Sequence, residues 1–600
     1  MPLADELAKQ QRSISVAEFF EKNKHLLGFD SPTRGIVTTI KEAVDNALDA
    51  CEESGILPDI YIRIQRAGGD VLRIVVEDNG PGIIPEQIPF VFGKLLYGSR
   101  FHQIRQSRGQ QGIGISAAVL YAQLTTGMPA VIVSRTGGDT PAYRFALQID
   151  IATNEPVIVS RDTPEWDRTH GTRVQIEFKS TLAAKKRLLE YLRYSSVVNP
   201  HARIQVELDD EQIRFERVSS EAIACTQAIQ PHPHGIEIGQ LMRMASASGE
   251  NVGDFLVNGF SRVGKKTAAG IASAAGVSVG DPVRSLAPGE LKRLLEGMQA
   301  AKIPAPPASQ CLSPIGEELI RKGLEKEFQM DFVSARTRPP SVFSGHPFMV
   351  EAAVGYGGKL PAEGNAMILR FANRVPLMYQ QGACAITGCI ARINWKAYGV
   401  TTDGLPSGPL LVLVHVASTN VPFTSESKDA VAGIPEIERE IVLALQDLGR
   451  DLKTYLSRRD KSRLQEDRAR AVCAIIPEIS AKVAEIVELP PPDISSIEGR
   501  IMRRLVVKKR NSSASVTLEV NNYTPEPAEF SLYFSSHDRD GEANPKPDFV
   551  SRTGTDCTRL WKVRVGPGEQ WKAVLTGQVA GTVDIRDILQ SRYAVVELDE

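Results

Sequence analysis

Apolar side chains recur every three or four positions along the stretch that begins near residue 36. They are Ile36, Val37, Ile40, Val44, Ala47, Leu48 and Cys51. This spacing predicts a helix with one buried face. Glu42, Asn46 and Asp49 are four and three positions apart, so they share a different face of the same helix. Taken alone, such a polar face is equally consistent with simple exposure to solvent.

The β-branched run at residues 71–76 predicts a buried strand that ends at Asp78. Gly80 and Gly82 follow and predict a tight turn. A single Asp-x-Gly-x-Gly segment is usually just a turn with a capping aspartate. Its significance therefore depends on what accompanies it.

A glycine-rich segment at residues 109–114 leads into a helix of small residues. Glycines let a backbone approach phosphate oxygens closely, and the helix N-terminus behind them favours negative charge. No Gly-Lys-Ser/Thr follows, so the segment is not a Walker A loop. No strand leads directly into it, which excludes a Rossmann fingerprint. The polar and basic approach at residues 101–108 predicts a mobile lid.

These three patterns, in this order, resemble the Bergerat (GHKL) ATP-binding fold, the ATPase module of gyrase-type topoisomerases, Hsp90, MutL and sensor histidine kinases. His170-Gly171-Thr172, at the start of a predicted strand, supplies a fourth matching motif. The resemblance implies that Glu42 is the general base and that Asn46 ligates Mg²⁺. It also implies that Asp78 and Thr172 lie at the adenine. The ATP-binding residues it implies around the phosphates are Ser99, Arg100, Arg108, Gly109, Gln110, Gln111, Gly112, Ile113, Gly114 and Ile115.

Length and composition limit the remaining possibilities. Six hundred residues are enough for three to five domains. The formal net charge is −2, so any contact with nucleic acid must come from local basic patches. Seven scattered cysteines without metal-ligand spacing argue against a disulfide framework. No signal peptide or apolar run long enough to span a membrane is recognisable, which predicts a soluble intracellular protein.

The pattern of elements predicts a multidomain α+β chain. We expect an α/β sandwich ATPase at 1–228 with an exposed N-terminal arm at residues 1–11, and a small helical module at 229–307. Strands and then a long charged helix, interrupted near Pro477, fill 308–490. A basic linker at 491–510 precedes alternating apolar and polar positions at 511–600, which predict an Ig-like β-sandwich.

Three further motifs narrow the resemblance. They are Gly-Gln-Gln-Gly-Ile-Gly-Ile-Ser at 109–116, Arg-Phe-Ala-Asn-Arg-Val-Pro-Leu at 370–377 and Pro-Phe-Thr-Ser-Glu-Ser-Lys at 422–428. With the helical module between ATPase and strands, they resemble the B subunits of DNA topoisomerase VI, a type IIB enzyme. Residues 229–307 would be its helix-two-turns-helix (H2TH) module and 308–490 its transducer domain. A lone loop lysine is usually solvated, but the resemblance implies that Lys428 reaches the γ-phosphate.

Membership of this family would imply partners as well as a substrate. ATP binding would dimerise the chain through the N-terminal strap and lid and close a gate on double-stranded DNA. No acidic TOPRIM cluster or nucleophilic tyrosine of a cleavage domain is recognisable. Strand cleavage would therefore belong to a separate topoisomerase VI A subunit in an A2B2 assembly. Such an enzyme would be cytoplasmic, nucleoid-associated and of archaeal type.

Several side chains are candidates for contact with DNA. They are Lys185, Lys186, Arg187, Lys265, Lys266, Trp395, Lys396 and Tyr398. Lysines would meet phosphates and an exposed aromatic could pack on sugar or base. The alternative for Trp395 and Tyr398 is that they pack inward, as large aromatics usually do. The alternative for the paired lysines is a helical spacer that does not touch DNA.

A different class of function is also compatible with these motifs. The chain could be a nucleotide-gated clamp that remodels protein or chromatin without topoisomerase activity. A sensor kinase fits less well, because no helix bearing a phosphoacceptor histidine precedes the ATPase pattern. Association with a tyrosine-bearing cleavage subunit would separate the first two hypotheses.

Overall fold

A computed structural model describes residues 13–100, 103–109, 112–180, 182–209, 211–223, 225–425, 427–512, 514–537, 541–577, 581–589 and 592–599. The predicted N-terminal arm lies outside these residues. The chain forms two compact units, Met1–Tyr455 and Leu456–Glu600, which are described separately.

The described elements of the first unit alternate helices with strands. Its helices are α1 (Val16–Lys22), α2 (Pro32–Glu53), α3 (Ile88–Gly93), α4 (Gly114–Thr126), α5 (Lys185–Val198), α6 (Ile238–Ala247), α7 (Val252–Gly259), α8 (Lys265–Ala275), α9 (Pro288–Ala300), α10 (Ala308–Cys311), α11 (Glu317–Glu327) and α12 (Ala385–Arg392). Its first strands are β1 (Asp59–Gly68), β2 (Val71–Glu77), β3 (Ala130–Arg135), β4 (Tyr143–Asp150), β5 (Glu155–Asp162), β6 (Gly171–Lys179), β7 (Arg203–Leu208) and β8 (Glu211–Phe215). Its later strands are β9 (Phe332–Thr337), β10 (Ser341–Phe343), β11 (His346–Tyr356), β12 (Met367–Ala372), β13 (Val375–Pro376), β14 (Thr402–Asp403), β15 (Leu405–Pro406) and β16 (Leu410–Ser418).

Strands β1 to β8 form one sheet in the order β5-β4-β3-β6-β2-β1-β7-β8. Helices α2, α4 and α5 share a hydrophobic core with its alternating inward-facing residues. The predicted stripe of α2 is buried in this core, with Ile40, Val44 and Leu48 fully enclosed. Ser31 caps the helix by accepting a hydrogen bond from the Arg34 amide at 3.3 Å, and Pro32 fits its first turn. The core therefore fixes the rotation of α2, so its polar side chains face elsewhere.

Helices α6 to α9 form a small helical segment with a core of its own. Leu241, Leu256, Ile271 and Leu294 are buried there. The predicted lysine-bearing helix is α8, which begins at Lys265 after the Gly264 cap. The boundaries 229 and 307 proposed for this module stay a prediction.

A second sheet has the order β10-β11-β16-β12-β13, with β9 paired to β11. Strand β16 is buried along its whole length, which explains its continuous apolar sequence because both faces are covered. Strand β12 runs parallel to β16, whereas β11 is antiparallel to it. The C-terminal end of β16 leads through residues 419–427 to Lys428.

One long helix, α13 (Pro435–Ile486), begins in the first unit and continues into the second. The predicted interruption near Pro477 is wrong, because the helix continues through that residue. Proline is compatible with helical φ and costs one hydrogen bond, that to the carbonyl of Cys473. The helix around Pro477 is largely exposed, so water can solvate this carbonyl and the helix can persist.

The second unit also contains α14 (Ser495–Met502) and a β-sandwich. Its strands are β17 (Leu505–Ser512), β18 (Ser515–Asn522), β19 (Ala528–Ser536), β20 (Ala543–Asn544), β21 (Phe549–Thr553), β22 (Asp556–Val565), β23 (Gln570–Thr576), β24 (Gly581–Arg586) and β25 (Tyr593–Asp599). They form two sheets, β20-β23-β18-β17-β25 and β21-β22-β19-β24. Leu518, Phe534 and Trp561 are buried in the core of this sandwich. The sandwich predicted for the C-terminal region is therefore present.

The basic linker predicted at 491–510 is not a linker in the structure. Its second half is strand β17, which pairs with β18 and β25. Lys508 and Lys509 are nearly buried, and their ammonium groups lie 2.6 Å from Asp493 and 3.3 Å from Glu597. Long apolar stems let lysines pack in this way when a carboxylate meets the charge. These two lysines therefore belong to the sandwich.

Among the described residues, no helix has both the length and the apolar character needed to cross a membrane.

Candidate active site

A cavity of about 720 Å³ lies within the first unit, beside helix α2. This is within the size range of small-molecule binding sites. The residues around it come from α2, the end of β2, the segments on either side of the lid, the start of α4 and the loop that follows β16. The polar and glycine residues that line it include Arg34, Lys41, Glu42, Asn46, Asp78, Gly82, Ser99, Arg100, Gly109, Gly112, Gly114, Thr172, Ser427, Lys428 and Asp429.

Glu42 and Asn46 are one turn apart on α2 and both line the cavity. The Glu42 carboxylate lies 3.7 Å from the Lys41 ammonium group. It also lies against the backbone of Gly114, because a Cβ added to that glycine would stand 1.8 Å from Glu42 Oε2. Glu42 is therefore placed between the start of α4 and the cavity.

Asp78 lies immediately beyond the end of β2, as the sequence predicted. Its Oδ1 accepts hydrogen bonds from the amides of Gly80 at 2.8 Å and Thr172 at 3.2 Å. Burial raises the pKa of this carboxyl to about 6. Two backbone bonds thus fix the orientation of the carboxylate at the wall of the cavity.

The glycines around Asp78 are required by close backbone packing. Gly82 has a φ of +76°, and a Cβ there would stand 2.0 Å from the Arg135 carbonyl oxygen. Gly171 has a φ of +136°, and a Cβ there would stand 2.1 Å from the Asp78 carbonyl oxygen. Only glycine fits such positions without displacing backbone. Ser134 supports this wall by donating to the Gly171 carbonyl at 3.0 Å, a role that its sequence position did not reveal.

Most of the predicted phosphate-binding residues flank the lid at residues 101–108, and among the described ones several line the cavity. Those that line the cavity are Ser99, Arg100, Gly109, Gly112, Ile113, Gly114 and Ile115. Gly112 has a φ of +60°, which suits glycine. Gln110 and Gln111 lie outside the described residues.

Arg108 differs from the prediction, because its side chain does not line the cavity. It is buried and forms ion pairs with Asp49 and Glu52, both at 2.7 Å. It also donates to Asn199 Oδ1 at 2.5 Å. A guanidinium can donate to several acceptors at once. Here its three acceptors are side chains of this protein. Arg108 therefore ties the lid to α2 and to Asn199, and its role in binding ATP stays a prediction.

Lys428 enters the cavity from the loop after β16. Its φ of +54° is unusual for a residue other than glycine. Its Nζ donates to the backbone carbonyl of Arg108 at 2.9 Å. Burial lowers the pKa of Lys428, while the nearby Glu42 carboxylate opposes this change. The structure thus brings Lys428 to the lid from 320 residues away in the chain.

Three further residues at this end of the cavity had no distinguishing sequence pattern. Arg34 forms an ion pair with Asp429, the neighbour of Lys428. The Arg34 guanidinium lies 4.5 Å from the centre of the Tyr379 ring, and that of Arg187 lies 5.5 Å from the same ring. Such cation–π contacts help to fix side-chain positions.

Asp45 lies behind the cavity, on the buried side of α2. Its Oδ1 accepts a hydrogen bond from the Tyr191 hydroxyl at 3.3 Å. Burial raises the pKa of Asp45 to about 7, although Lys41 opposes the shift. The carboxyl of Asp45 can therefore change its protonation state near neutral pH.

Five of the candidate DNA-binding residues are cations on helices. Lys186, Arg187, Lys265 and Lys266 are exposed. Lys185 is half-buried, and its ammonium group pairs with Glu211. The structure places these cations on two separate helices, α5 and α8.

The loop at residues 394–399 differs from the expected exposed aromatic pair. Trp395 is 1 % exposed, and its indole N–H donates to the Ile390 carbonyl at 2.9 Å. A Cβ added to Gly449 would stand 2.5 Å from the half-buried ring of Tyr398. Trp395 therefore belongs to the core, which corrects its assignment to DNA contact, while Lys396 is exposed.

Two family models match separate parts of the chain. "Histidine kinase-, DNA gyrase B-, and HSP90-like ATPase" matches residues 32–181. "Topoisomerase VI B subunit, transducer" matches residues 307–468. The first range contains Glu42, Asn46, Asp78 and the lid, and the second contains Lys428.

Curated relatives are similar over almost the whole chain. The B subunit of Type 2 DNA topoisomerase 6 from Methanococcoides burtonii is 47% identical over 584 residues, covering 96% of this chain and 93% of that protein. The protein of the same name from Archaeoglobus fulgidus is 46% identical over 575 residues, covering 94% of each.

Solved structures show a weaker likeness. The B subunit of the DNA gyrase from Myxococcus xanthus is 13% identical, with a TM-score of 0.37 over 73% of this chain and 95% of that one. The ATPase region of Saccharomyces cerevisiae topoisomerase II is 12% identical, with a TM-score of 0.36 over 74% of this chain and 100% of that one.

Proposed function

Because the chain belongs to the family of Type 2 DNA topoisomerase 6 B subunits, we propose that its cavity binds ATP and hydrolyses it to drive the passage of one DNA duplex through another. The observation that carries this proposal is the convergence of Glu42, Asn46, Asp78 and Lys428 on one cavity. These four residues come from three separate motifs, and each has the chemistry that one part of the nucleotide requires.

Asp78 recognises the adenine. Its Oδ1 is occupied by two backbone amides, so Oδ2 is left to accept from an exocyclic amino group. Adenine carries such a donor and guanine presents a carbonyl at the equivalent position. Asp78 therefore selects ATP over GTP. Thr172, whose amide bonds to Asp78, lies in the same wall.

The phosphates bind at the start of α4. Gly109, Gly112 and Gly114 line the cavity there, and the helix N-terminus favours negative charge. The Gly109 amide donates to Asp49 Oδ2 at 3.3 Å in the structure. Ser99 and Arg100 line the same region. Arg100 is already paired with Asp49 at 2.6 Å, which holds it close to the lid.

The residues also fit a magnesium ion. Mg²⁺ prefers oxygen ligands and usually takes only one or two from the protein, with phosphates and water completing the octahedron. Asn46 lines the cavity, and its Oδ1 would lie 3.6 Å from a Cβ on Gly109. Asn46 Oδ1 would hold the ion beside the phosphates. The ion would neutralise charge on the phosphate oxygens.

Glu42 acts as the general base in hydrolysis. A water molecule held by its carboxylate attacks the γ-phosphorus, and the proton of that water passes to Glu42. The bond from the γ-phosphorus to the bridging oxygen breaks, which leaves ADP and inorganic phosphate. Lys428 stabilises negative charge on the γ-phosphoryl group.

The proposal extends to partners and to coupling. ATP would dimerise the chain and close a gate around double-stranded DNA, and a separate A subunit would cleave the DNA. Loss of the γ-phosphate removes the contact with Lys428, which lets the second sheet move relative to the ATPase elements. In this proposal the ATPase domain ends at residue 228, the H2TH module ends at 307 and the transducer domain ends at 490. Exposed cations at Lys186, Arg187, Lys265, Lys266 and Lys396 are the proposed contacts to DNA phosphates.

A relaxation and decatenation assay tests this function. The purified chain is combined with the A subunit of a related enzyme or of the same source, supercoiled plasmid, magnesium and ATP. We expect relaxation that requires both subunits and ATP. ATP hydrolysis without relaxation in the presence of an active A subunit would favour the clamp hypothesis. Absence of ATP hydrolysis by the chain under all these conditions would refute the proposed function itself.

A further inference from the structure

The two-residue turn at Asn373 and Arg374 connects β12 to β13, and the nucleotide chemistry does not use it. Ala372 pairs with Val375 across the turn. The φ angles of Asn373 and Arg374 are +46° and +64°. Asparagine tolerates this left-handed region, but it is unfavourable for arginine. An arginine held in this strained conformation points to a specific task for its side chain.

Asn373 joins the lid to the end of strand β16. Its Nδ2 donates to the Ser107 carbonyl at 3.0 Å and to the Ser418 carbonyl at 2.9 Å. Its Oδ1 accepts from the Ser418 amide at 2.8 Å. One buried amide therefore holds two segments that are far apart in sequence. One is the lid beside Arg108, and the other is the strand end from which the Lys428 loop continues.

Arg374 joins the same turn to helix α2. Its guanidinium lies 3.6 Å from Glu52 Oε1 and donates to the Ser313 carbonyl at 2.9 Å. Glu52 is the carboxylate that also pairs with Arg108. On the other side, the Arg374 amide donates to His415 Nε2 in strand β16 at 2.9 Å. The turn thus contacts α2, the lid and β16 simultaneously.

The same residues fix the position of Lys428 relative to the phosphate site. Lys428 donates to the Arg108 carbonyl, and the residue before Arg108 is the one that Asn373 holds. The loop that carries Lys428 starts from the strand end that Asn373 also holds. A change at Asn373 therefore alters both its contact with the lid at Ser107 and its contact with the strand end at Ser418, from which the Lys428 loop starts.

We propose that Asn373 is a positioning residue for ATP hydrolysis, which keeps the lid and the Lys428 loop in one register so that the Lys428 ammonium group meets the γ-phosphate only when the lid is seated. This inference rests on the proposed ATPase function and deepens it. Asn373 does not touch the reacting atoms. It acts through Lys428 and Arg108, and Arg374 supports it by anchoring the turn to Glu52.

Asn373→Gly tests the role of the side chain alone. Glycine adopts the left-handed backbone readily, so the turn is kept while the three side-chain hydrogen bonds are lost. Because each such bond contributes a few-fold in an equilibrium, we expect kcat for ATP hydrolysis to fall about tenfold and KM for ATP to change less than about threefold. Asn373→Asp preserves size but cannot donate to Ser107 or Ser418, so we expect a similar loss.

The control is Asp209→Gly, which places glycine at another left-handed position, φ +52°, on an exposed turn between β7 and β8. It should leave kcat unchanged. A second measurement is the same Asn373→Gly change in a Lys428→Ala background, followed by single-turnover hydrolysis of radiolabelled ATP by the full-length chain. If Asn373 acts through Lys428, the additional loss of kcat should be less than about twofold.

Each outcome either supports or overturns the inference. An equal tenfold loss in both backgrounds, a loss confined to KM, or wild-type kcat in Asn373→Gly would overturn it. Thermal unfolding of Asn373→Gly, compared with that of Asp209→Gly, identifies a general loss of folding. If Asn373→Gly does not fold, the kcat measurements are made with Asn373→Asp, which introduces no glycine. Failure of the wild-type chain to hydrolyse ATP would instead refute the proposed function, so the two failures are distinguishable.

Discussion

Replacement of Gly114 by alanine should disable hydrolysis by moving one carboxylate. Gly114 is the first residue of α4, and its backbone does not have a left-handed conformation. A methyl group there would stand 1.8 Å from Glu42 Oε2 and 2.6 Å from Glu42 Cδ. The backbone can accept alanine, so the clash falls on the flexible end of the Glu42 side chain.

The size of the effect follows from this geometry. To restore an ordinary carbon–oxygen contact, the carboxylate has to withdraw from the methyl group by about 1 Å or more, and misplacing a catalytic group by that distance lowers a rate by about 100-fold. This corresponds to about 2.7 kcal/mol in activation free energy. The side chain is partly exposed and can change rotamer, so the cost in folding free energy should be about 1 kcal/mol or less.

Steady-state ATPase measurements with the full-length chain test this expectation. Gly114→Ala should lower kcat about 100-fold with a smaller change in KM, because the base acts on water and not on the bound nucleotide. The matched control is Gly270→Ala, within helix α8, where a Cβ would meet no atom within 4 Å. The double variant Glu42→Ala with Gly114→Ala should bind nucleotide as tightly as Glu42→Ala alone in calorimetry.

Two results would refute this reasoning. If Gly114→Ala retains kcat close to wild type, then Glu42 does not need its present position. If the loss appears wholly in KM, or if Gly114→Ala weakens nucleotide binding in the Glu42→Ala background, then the methyl group acts on the phosphates directly and not through Glu42.

Four other predictions address the remaining parts of the site. Glu42→Ala should abolish hydrolysis while nucleotide binding, measured by calorimetry, stays nearly intact; hydrolysis near the wild-type rate would reject Glu42 as the base. Asp45→Asn should stabilise the protein more at pH 8 than at pH 5, by on the order of 2 kcal/mol in denaturant unfolding. The reason is that burial raises the pKa of Asp45 in the folded protein to about 7. The stability that this carboxyl contributes is therefore fully present below its pKa in the unfolded chain and is lost as the pH rises through about 7. Equal effects at both pH values would contradict this. A nonhydrolysable ATP analogue should convert residues 1 to about 470 from monomer to dimer in sedimentation, and a monomer at saturating nucleotide would exclude the gate. Lys396→Ala should weaken DNA binding and reduce its salt dependence by about one unit of slope without changing basal ATPase activity, whereas an unchanged salt slope would remove Lys396 from the DNA surface.

The parts of the site that the sequence could predict are local in the chain. The stripe on α2, the Asp78 turn and the start of α4 each depend on spacing within about a dozen residues, where helix and strand periods are informative. The glycine positions carry additional information because close packing leaves room for no side chain. A Cβ at Gly82 or at Gly171 would collide with a backbone carbonyl oxygen. A glycine at each of these positions in the sequence therefore already indicated close backbone packing.

The residues whose surroundings the sequence did not reveal have partners from distant segments. Arg108 stands beside the phosphate glycines in sequence, yet Asn199 and Glu52 hold its side chain in a separate buried cluster. Lys508 belonged to a basic run that resembled a solvated linker, but its partner Asp493 and the pairing of β17 bury it. Trp395 looked like part of an exposed loop because nothing nearby in sequence indicated the core beneath it. Local patterns could not predict these outcomes, because tertiary packing determines them.

Helix α2 explains why catalysis and domain coupling can share one element. Its apolar stripe packs against the sheet and fixes the rotation of the helix. Its polar side chains therefore point to the cavity and to the segments that pack on the other faces of the helix. Glu42 and Asn46 line the cavity, whereas Glu52, near its C-terminal end, meets Arg108 from the lid and Arg374 from the second sheet. A rigid helix transmits displacement along its length, because its backbone hydrogen bonds prevent one turn from moving independently. In the proposed cycle, movement of the second sheet on release of the γ-phosphate would therefore act on Glu52 and on Lys428 together. This would couple the lid to Glu42, the proposed base, without a separate signalling segment.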